Sequence, residues 1–183
     1  PVGTTTVTWT AEDNSGNTAT CQQTVTVTDD EDPTISCPAD VSTSTDAGAC
    51  EATGVSLGTA TSSDNCGATT VSNDAPSSYP LGTTTVTWTA DDGNGNSASC
   101  QQNITVTDDE DPTISCPADV NTTTDAGSCE ATGVFLGTTT SSDNCGGTTV
   151  INDAPSSYPV GPTTVTWTAE DNSGNTATCQ QTV

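Results

Sequence analysis

Apolar and polar positions alternate along this 183-residue chain with a period of two. Across residues 84–90, Val86, Trp88 and Ala90 fall on one face and threonines on the other. Residues 98–100 and 104–107 alternate in the same way. That period is the signature of a strand buried on one face, and Thr, Val and Ile favour it because a branched Cβ fits the pleat. Between the two runs lie Asp91, Asp92, Gly93, Asn94, Gly95 and Asn96, all turn formers, so the pair predicts a β-hairpin. The corresponding loops at 12–17 and 170–175 keep a Gly-Asn step, which points to a left-handed backbone position that glycine takes cheaply.

Shorter strands are expected at 34–36, 41–43, 51–57 and 69–72, separated by turn clusters at 45–48, 62–65 and 73–76. No stretch has helical periodicity. Six or seven short strands in about 80 residues predict an all-β fold, an Ig-like sandwich. Trp88 and Trp167, each on the apolar face of its strand, are the expected core residues, with packing their only role.

The pattern then repeats. Trp9, Trp88 and Trp167 are each 79 residues apart, as are Cys21, Cys100 and Cys179. Cys37, Cys50 and Cys66 return at the same offset as Cys116, Cys129 and Cys145, and residues 1–25 return as 159–183 with one change, Thr4 to Pro162. A fixed period of this kind means tandem modules. The expected division is 1–28, the C-terminal hairpin of a preceding module; 29–107, one module; and 108–183, another. The chain reads as a segment of a longer array. Residues 1–25 cannot close a sandwich alone, so they are expected to pair with upstream residues or with another subunit. The linkers 28–33 and 107–112 are identical, and the proline ending each favours an extended, stiff connection.

Composition narrows the function. The chain has no Lys, Arg or His and 24 acidic residues, a formal charge of −24. Nucleic acid is excluded as a partner, because phosphate binding needs cationic side chains. An anionic membrane surface is disfavoured for the same reason, and no apolar run is long enough to insert into a bilayer. Without a base, an acid or an oxyanion clamp of the usual kinds, no enzyme activity is expected. Four cysteines per module, lacking close CxxC pairs and any histidine, read as disulfides in an oxidising compartment rather than a zinc site. The candidates are Cys37, Cys50, Cys66 and Cys100, then Cys116, Cys129, Cys145 and Cys179, with Cys21 belonging to the preceding module. Two bridges within each module are expected; the sequence leaves the three pairings open.

Several motifs together resemble the hyalin repeat, or HYR, family of extracellular Ig-like modules. They are Pro33-Thr34-Ile35-Ser36-Cys37-Pro38, Gly48-Ala49-Cys50, Asp64-Asn65-Cys66-Gly67, and the tract from Gly82 through Trp88 to Cys100, with the second copy at the same spacings. The resemblance implies an extracellular or cell-surface tandem module linked to adhesion or matrix assembly, with no catalytic activity. The total lack of Lys and Arg departs from the family and weighs against protein binding more than against a structural role.

The acidic linkers are the candidate metal sites. Asp29, Asp30, Glu31 and Asp32, repeated as Asp108, Asp109, Glu110 and Asp111, offer the oxygen ligands that calcium takes. In an Ig-like sandwich the loops carrying Asp64 and Asn65 and carrying Asp91 and Asp92 are expected at the end of the module facing its linker, as are Asp143, Asn144, Glu170 and Asp171 in the next copy. The expected cofactor is Ca2+, an arrangement similar to the calcium-braced linkers of cadherins; a solvated acidic linker is the alternative. Sequons at Asn103 and Asn121 admit attached glycans. The reading these features favour is a structural segment of an extracellular fibre or stalk, self-associating or continuing as the same array. The alternative is an adhesion module that binds protein or glycan.

Overall fold

A computed structural model describes all 183 residues and contains strands but no helix. The first hairpin joins β1 (Gly3–Glu12) to β2 (Thr18–Val27). The middle repeat supplies β3 (Thr34–Ser36), β4 (Val41–Ser44), β5 (Glu51–Thr53), β6 (Thr61–Ser63), β7 (Thr70–Asn73), β8 (Ser78–Pro80), β9 (Gly82–Asp91) and β10 (Ser97–Thr107). The last repeat supplies β11 (Thr113–Ser115), β12 (Glu130–Thr132), β13 (Thr140–Ser142), β14 (Thr149–Asn152), β15 (Ser157–Pro159), β16 (Thr164–Glu170) and β17 (Thr176–Thr182). The sheet orders are β4-β10-β9-β7, β3-β6 and β5-β8 in the middle repeat, and β14-β16-β17, β11-β13 and β12-β15 in the last. The all-β, tandem Ig-like architecture expected from the periodicity is present.

The chain forms two compact units. The first comprises residues 1–41, 56–76 and 85–103. Its hairpin β1–β2 pairs antiparallel with Trp9 opposite Cys21. In the same unit Trp88 is buried, and its indole Nε1–H donates to Gln102 Oε1 at 3.1 Å. Gln102 is fully buried and in turn donates from Nε2 to the carbonyls of Ala39 (2.6 Å) and Leu57 (3.0 Å). A single amide therefore satisfies the tryptophan donor and ties the hairpin to two loops, which is how a buried polar group is tolerated.

The second unit comprises residues 42–55, 77–84 and 104–183. Its core gathers Tyr158, Val165 and Trp167, flanked by Ile114, Val134 and Leu136. Gln181 repeats the hub: it accepts from Trp167 Nε1 at 3.1 Å and donates to the Ala118 and Leu136 carbonyls at 2.7 and 2.8 Å. The register also repeats, with Trp167 opposite Cys179 as Trp9 is opposite Cys21.

Three strands differ from expectation. The run expected at 51–57 stops at Thr53, because Gly54 adopts φ 62° and leaves the extended region. Ser62 and Ser63, expected in a turn, belong to β6, which pairs with β3. β8 was not expected, since Pro76 lies just before it and Pro80 ends it, which masks its pattern; it exists through pairing with β5, Ala52 opposite Tyr79. The hairpin-loop glycines do take left-handed conformations, with φ 85° at Gly16, 113° at Gly95 and 94° at Gly174.

The disulfides correct the expectation of two bridges within each repeat. One is internal, Cys37–Cys100 in the middle repeat and Cys116–Cys179 in the last, each with Cα atoms 5.8 Å apart. The other crosses between repeats: Cys50 bonds Cys145, 95 residues later and therefore beyond one period. Cys21, Cys66 and Cys129 keep free, exposed thiols. The reason is placement. The Cys50 turn belongs with the following repeat's Asp143-Asn144-Cys145 loop in the second unit, where Asn144 Nδ2 donates to the Ala49 carbonyl at 2.8 Å.

Candidate metal centre

Each hairpin loop is organised around one aspartate. Asp92 Oδ1 accepts the backbone N–H groups of Asn94 (2.8 Å), Gly95 (3.1 Å) and Asn96 (3.0 Å), while Oδ2 accepts Asn96 Nδ2 at 2.6 Å. Asp171 does the same with Ser173, Gly174 and Asn175, and Asp13 holds Ser15 and Asn17. Burial pushes the Asp92 and Asp171 carboxyls up, but these hydrogen bonds outweigh it and hold both below the ordinary value. The loop therefore presents a fixed, ionised carboxylate.

The linker and the Asp-Asn-Cys loop bring two more. In the first unit the carboxylates of Asp29, Asp64 and Asp92 offer oxygens that all lie within 4.8 Å of one another. Asn94 Nδ2 donates to Asp29 Oδ2 at 3.0 Å, and Asn96 Nδ2 to its carbonyl at 3.4 Å. Asp64 Oδ2 accepts Cys66 N–H at 2.7 Å, leaving Oδ1 buried with no hydrogen-bond partner. The second unit repeats the triad as Asp108, Asp143 and Asp171, again within 4.8 Å. There Ser173 Oγ donates to Asp108 Oδ2 at 3.2 Å and Asn175 Nδ2 to its carbonyl at 3.2 Å. The Oδ1 atoms of Asp143 and Asn144 are both buried and unpartnered.

Other sequence candidates lie elsewhere. Asp30, Asp32, Asp111 and Glu170 are exposed, and none joins a triad. Glu31 accepts Asn65 Nδ2 at 2.6 Å, and Asp91 accepts the Gly93 N–H at 2.7 Å. Asp109 and Glu110 turn to the 44–48 segment, Asp109 Oδ2 accepting Ser44 Oγ and Glu110 Oε2 accepting the Gly48 N–H, both at 2.7 Å. Sequence reasoning missed Asn94, Asn96, Ser173 and Asn175, which brace the linker aspartate. The recurring Gly-Asn step was the only signal for the three asparagines, and Ser173 had none.

Three carboxylates held together without a single Lys, Arg or His in the chain repel one another. A buried carboxylate oxygen without a donor adds a desolvation cost. A hard cation bound by oxygen ligands removes both, and the donor set here suits Ca2+. The same carboxylates act on a neighbour: partial desolvation first, then the negative charges of Asp29, Asp64 and Glu31, push the Cys66 thiol up. The sequon residues are both exposed; Asn103, on β10, accepts Thr85 Oγ1 at 3.0 Å, and Asn121 lies between β11 and β12.

The model of the HYR domain matches three consecutive segments, residues 1–27, 28–106 and 107–183. No curated protein matches the chain in sequence. Among solved structures it is similar to "Protocadherin Gamma B2 extracellular cadherin domains 1-5", at 13% identity and TM-score 0.45, over 98% of this chain and 51% of that one. It is also similar to "PcdhgB3 EC1-4 in 50 mM HEPES", at 16% identity and TM-score 0.34, over 97% of this chain and 56% of that one. The chain thus spans about half the length of these structures. No helix is long and apolar enough to cross a membrane.

Proposed function

Because this chain belongs to the HYR domain family throughout its length, we propose that it is a structural segment of an extracellular or cell-surface fibre or stalk, stiffened at its acidic linkers by calcium. The observation that carries the reading is the recurrence of one linker geometry: Asp29, Asp64 and Asp92 in one copy, Asp108, Asp143 and Asp171 in the next, each with a buried orphan aspartate oxygen. Repeating a single linker geometry generates a regular rod, whereas recognition usually needs divergent loops. Disulfides both within a repeat and between repeats support a load-bearing role.

In this reading Asp108 and its counterpart Asp29 tether the ion to the linker. Asp143 and Asp64 tether it to the Asp-Asn-Cys loop, and Asp171 and Asp92 to the hairpin. Calcium neutralises the three carboxylates and fixes three sequence-distant segments; without it their repulsion loosens the linker. Calcium titration of the chelated protein by calorimetry and thermal melting tests this. Binding heat is expected, with stabilisation of about 2.7 kcal/mol once free calcium reaches 100 times its dissociation constant. Asp64→Asn with Asp143→Asn should abolish the heat. No heat and no change in melting temperature for the parent protein would sink the calcium reading. Electron cryo-microscopy of native material should give rods with an axial repeat of one or two modules.

A second reading, recognition of protein or glycan, has one observation in its favour. Phe135, Ile151 and Val160 are 81%, 67% and 76% exposed, where the middle repeat carries Ser56, Ser72 and Leu81. Binding to a glycan or matrix-protein array that is lost in Phe135→Ser would favour it.

A further inference from the structure

Two of the three free thiols occupy positions that are bonded to each other one repeat away. Cys129 lies 79 residues after Cys50, and Cys66 lies 79 before Cys145; Cys50 and Cys145 form the inter-repeat bridge, with Cα atoms 4.7 Å apart. The free positions have the same local structure as the bonded ones. Around Cys129, Gly127 has φ 79°, Asp125 N–H donates to the Glu130 carbonyl at 2.8 Å, and Ser128 N–H to the Asp125 carbonyl at 3.0 Å. Around Cys50, Gly48 has φ 72°, and the matching bonds, Asp46 to Glu51 and Ala49 to Asp46, are 2.8 and 2.9 Å. The Cys66 N–H donates to Asp64 Oδ2 at 2.7 Å, as the Cys145 N–H does to Asp143 Oδ2 at 2.8 Å. Both halves are thus formed before any bond is made, and the thiols are exposed.

We propose that Cys129 and Cys66 are covalent attachment sites, each forming a disulfide with the complementary cysteine loop of a further HYR repeat. Cys129 takes the cysteine of an Asp-Asn-Cys loop. Cys66 takes the cysteine of a Gly-Ala-Cys or Gly-Ser-Cys turn. Like does not pair with like, because the observed bridge joins one loop of each kind. The chemistry is thiol–disulfide exchange with a disulfide oxidant. Two thiols give up two electrons and two protons, one S–S bond forms between repeats, and the oxidant's S–S bond breaks to give two thiols. Every junction between repeats then carries two covalent links, the peptide chain and a disulfide. This inference rests on the disulfides alone and stands whether or not calcium binds.

Peptide mapping of the native protein, alkylated without reduction, tests it. The chain has no Lys or Arg and so no tryptic site, but a protease cutting after Glu and Asp separates the four half-cystine peptides. Ser128 distinguishes the Cys129 peptide from that of Cys50, which carries Ala49; Ala68 distinguishes the Cys66 peptide from that of Cys145, which carries Gly147. The expected products are the Cys129 peptide joined to an Asn-Cys-Gly peptide and the Cys66 peptide joined to an Ala-Cys or Ser-Cys peptide. Denaturing electrophoresis then distinguishes the sources: a ladder that collapses on reduction places the partner on a second copy, and an unchanged chain length places it on a neighbouring repeat of the same polypeptide. Alkylation of Cys66 and Cys129 as free thiols, Cys129–Cys129 pairs, or a bond to a peptide outside the HYR sequence would overturn the proposal.

Discussion

Gln181 lies between the tryptophan of its hairpin and two loops, and replacing it with leucine removes all three hydrogen bonds while keeping most of the volume. The side chain is 1% exposed. Its Oε1 takes the Trp167 Nε1–H at 3.1 Å and its Nε2 reaches the Ala118 and Leu136 carbonyls at 2.7 and 2.8 Å. Each bond contributes about 1 kcal/mol net, and an orphaned buried indole donor costs about 1–3 kcal/mol more, while leucine regains part of this as apolar burial. The expected loss is about 3 kcal/mol. For a repeat of this size that lowers the melting temperature by about 15 °C, followed by calorimetry and by near-UV circular dichroism. Gln23 provides the internal control. It occupies the same position in the first hairpin and holds Trp9 Nε1 at 3.0 Å, but that pair is exposed, Trp9 by 59%. Gln23→Leu should change stability by no more than about 0.5 kcal/mol. A Gln181→Leu variant that melts with the parent, or a Gln23→Leu variant that loses as much, would refute the hub.

Removing the inter-repeat bridge with Cys50→Ser and Cys145→Ser opens a loop of 95 residues; the chain-entropy term gives a loss of about 4–5 kcal/mol, read as a lower denaturant midpoint, and an unchanged midpoint would show that the bridge adds nothing. Acid should release the hairpin loops. The Asp92 and Asp171 carboxyls lie below their ordinary value of 3.8 when folded. Their stabilisation is therefore complete above that value and is lost as pH falls through the lower, folded one. Amide proton shifts of Gly95, Asn96, Gly174 and Asn175 should titrate with midpoints under 3.8, and midpoints at or above it would contradict the hydrogen-bond account.

Much of the fold was legible because its cause is local. The two-residue period around Trp88 and Trp167, and the loop rich in Asp, Asn and Gly between the runs, specify hairpins whatever surrounds them, and the structure has them. β8 was illegible because three residues ending in proline carry no period of their own; its strand character comes from β5. The hubs Gln102 and Gln181 were missed for a related reason. A glutamine in an alternating strand looks like a solvent-facing residue until a tryptophan and two loop carbonyls close over it.

Residue type and spacing alone set the period, the all-β class, the two core tryptophans and the lack of any cationic side chain to offset 24 carboxylates. The folded arrangement supplied what spacing cannot carry. In a repeating chain a cysteine at one position has a chemically identical counterpart in every copy, so only proximity could choose Cys145 rather than a cysteine of the same repeat for Cys50. Proximity likewise divided the second acidic linker, sending Asp108 to Asp143 and Asp171 while Asp109 and Glu110 turned to Ser44 and Gly48. Adjacent carboxylates in an extended segment point in different directions, and what each meets depends on the loops folded around it.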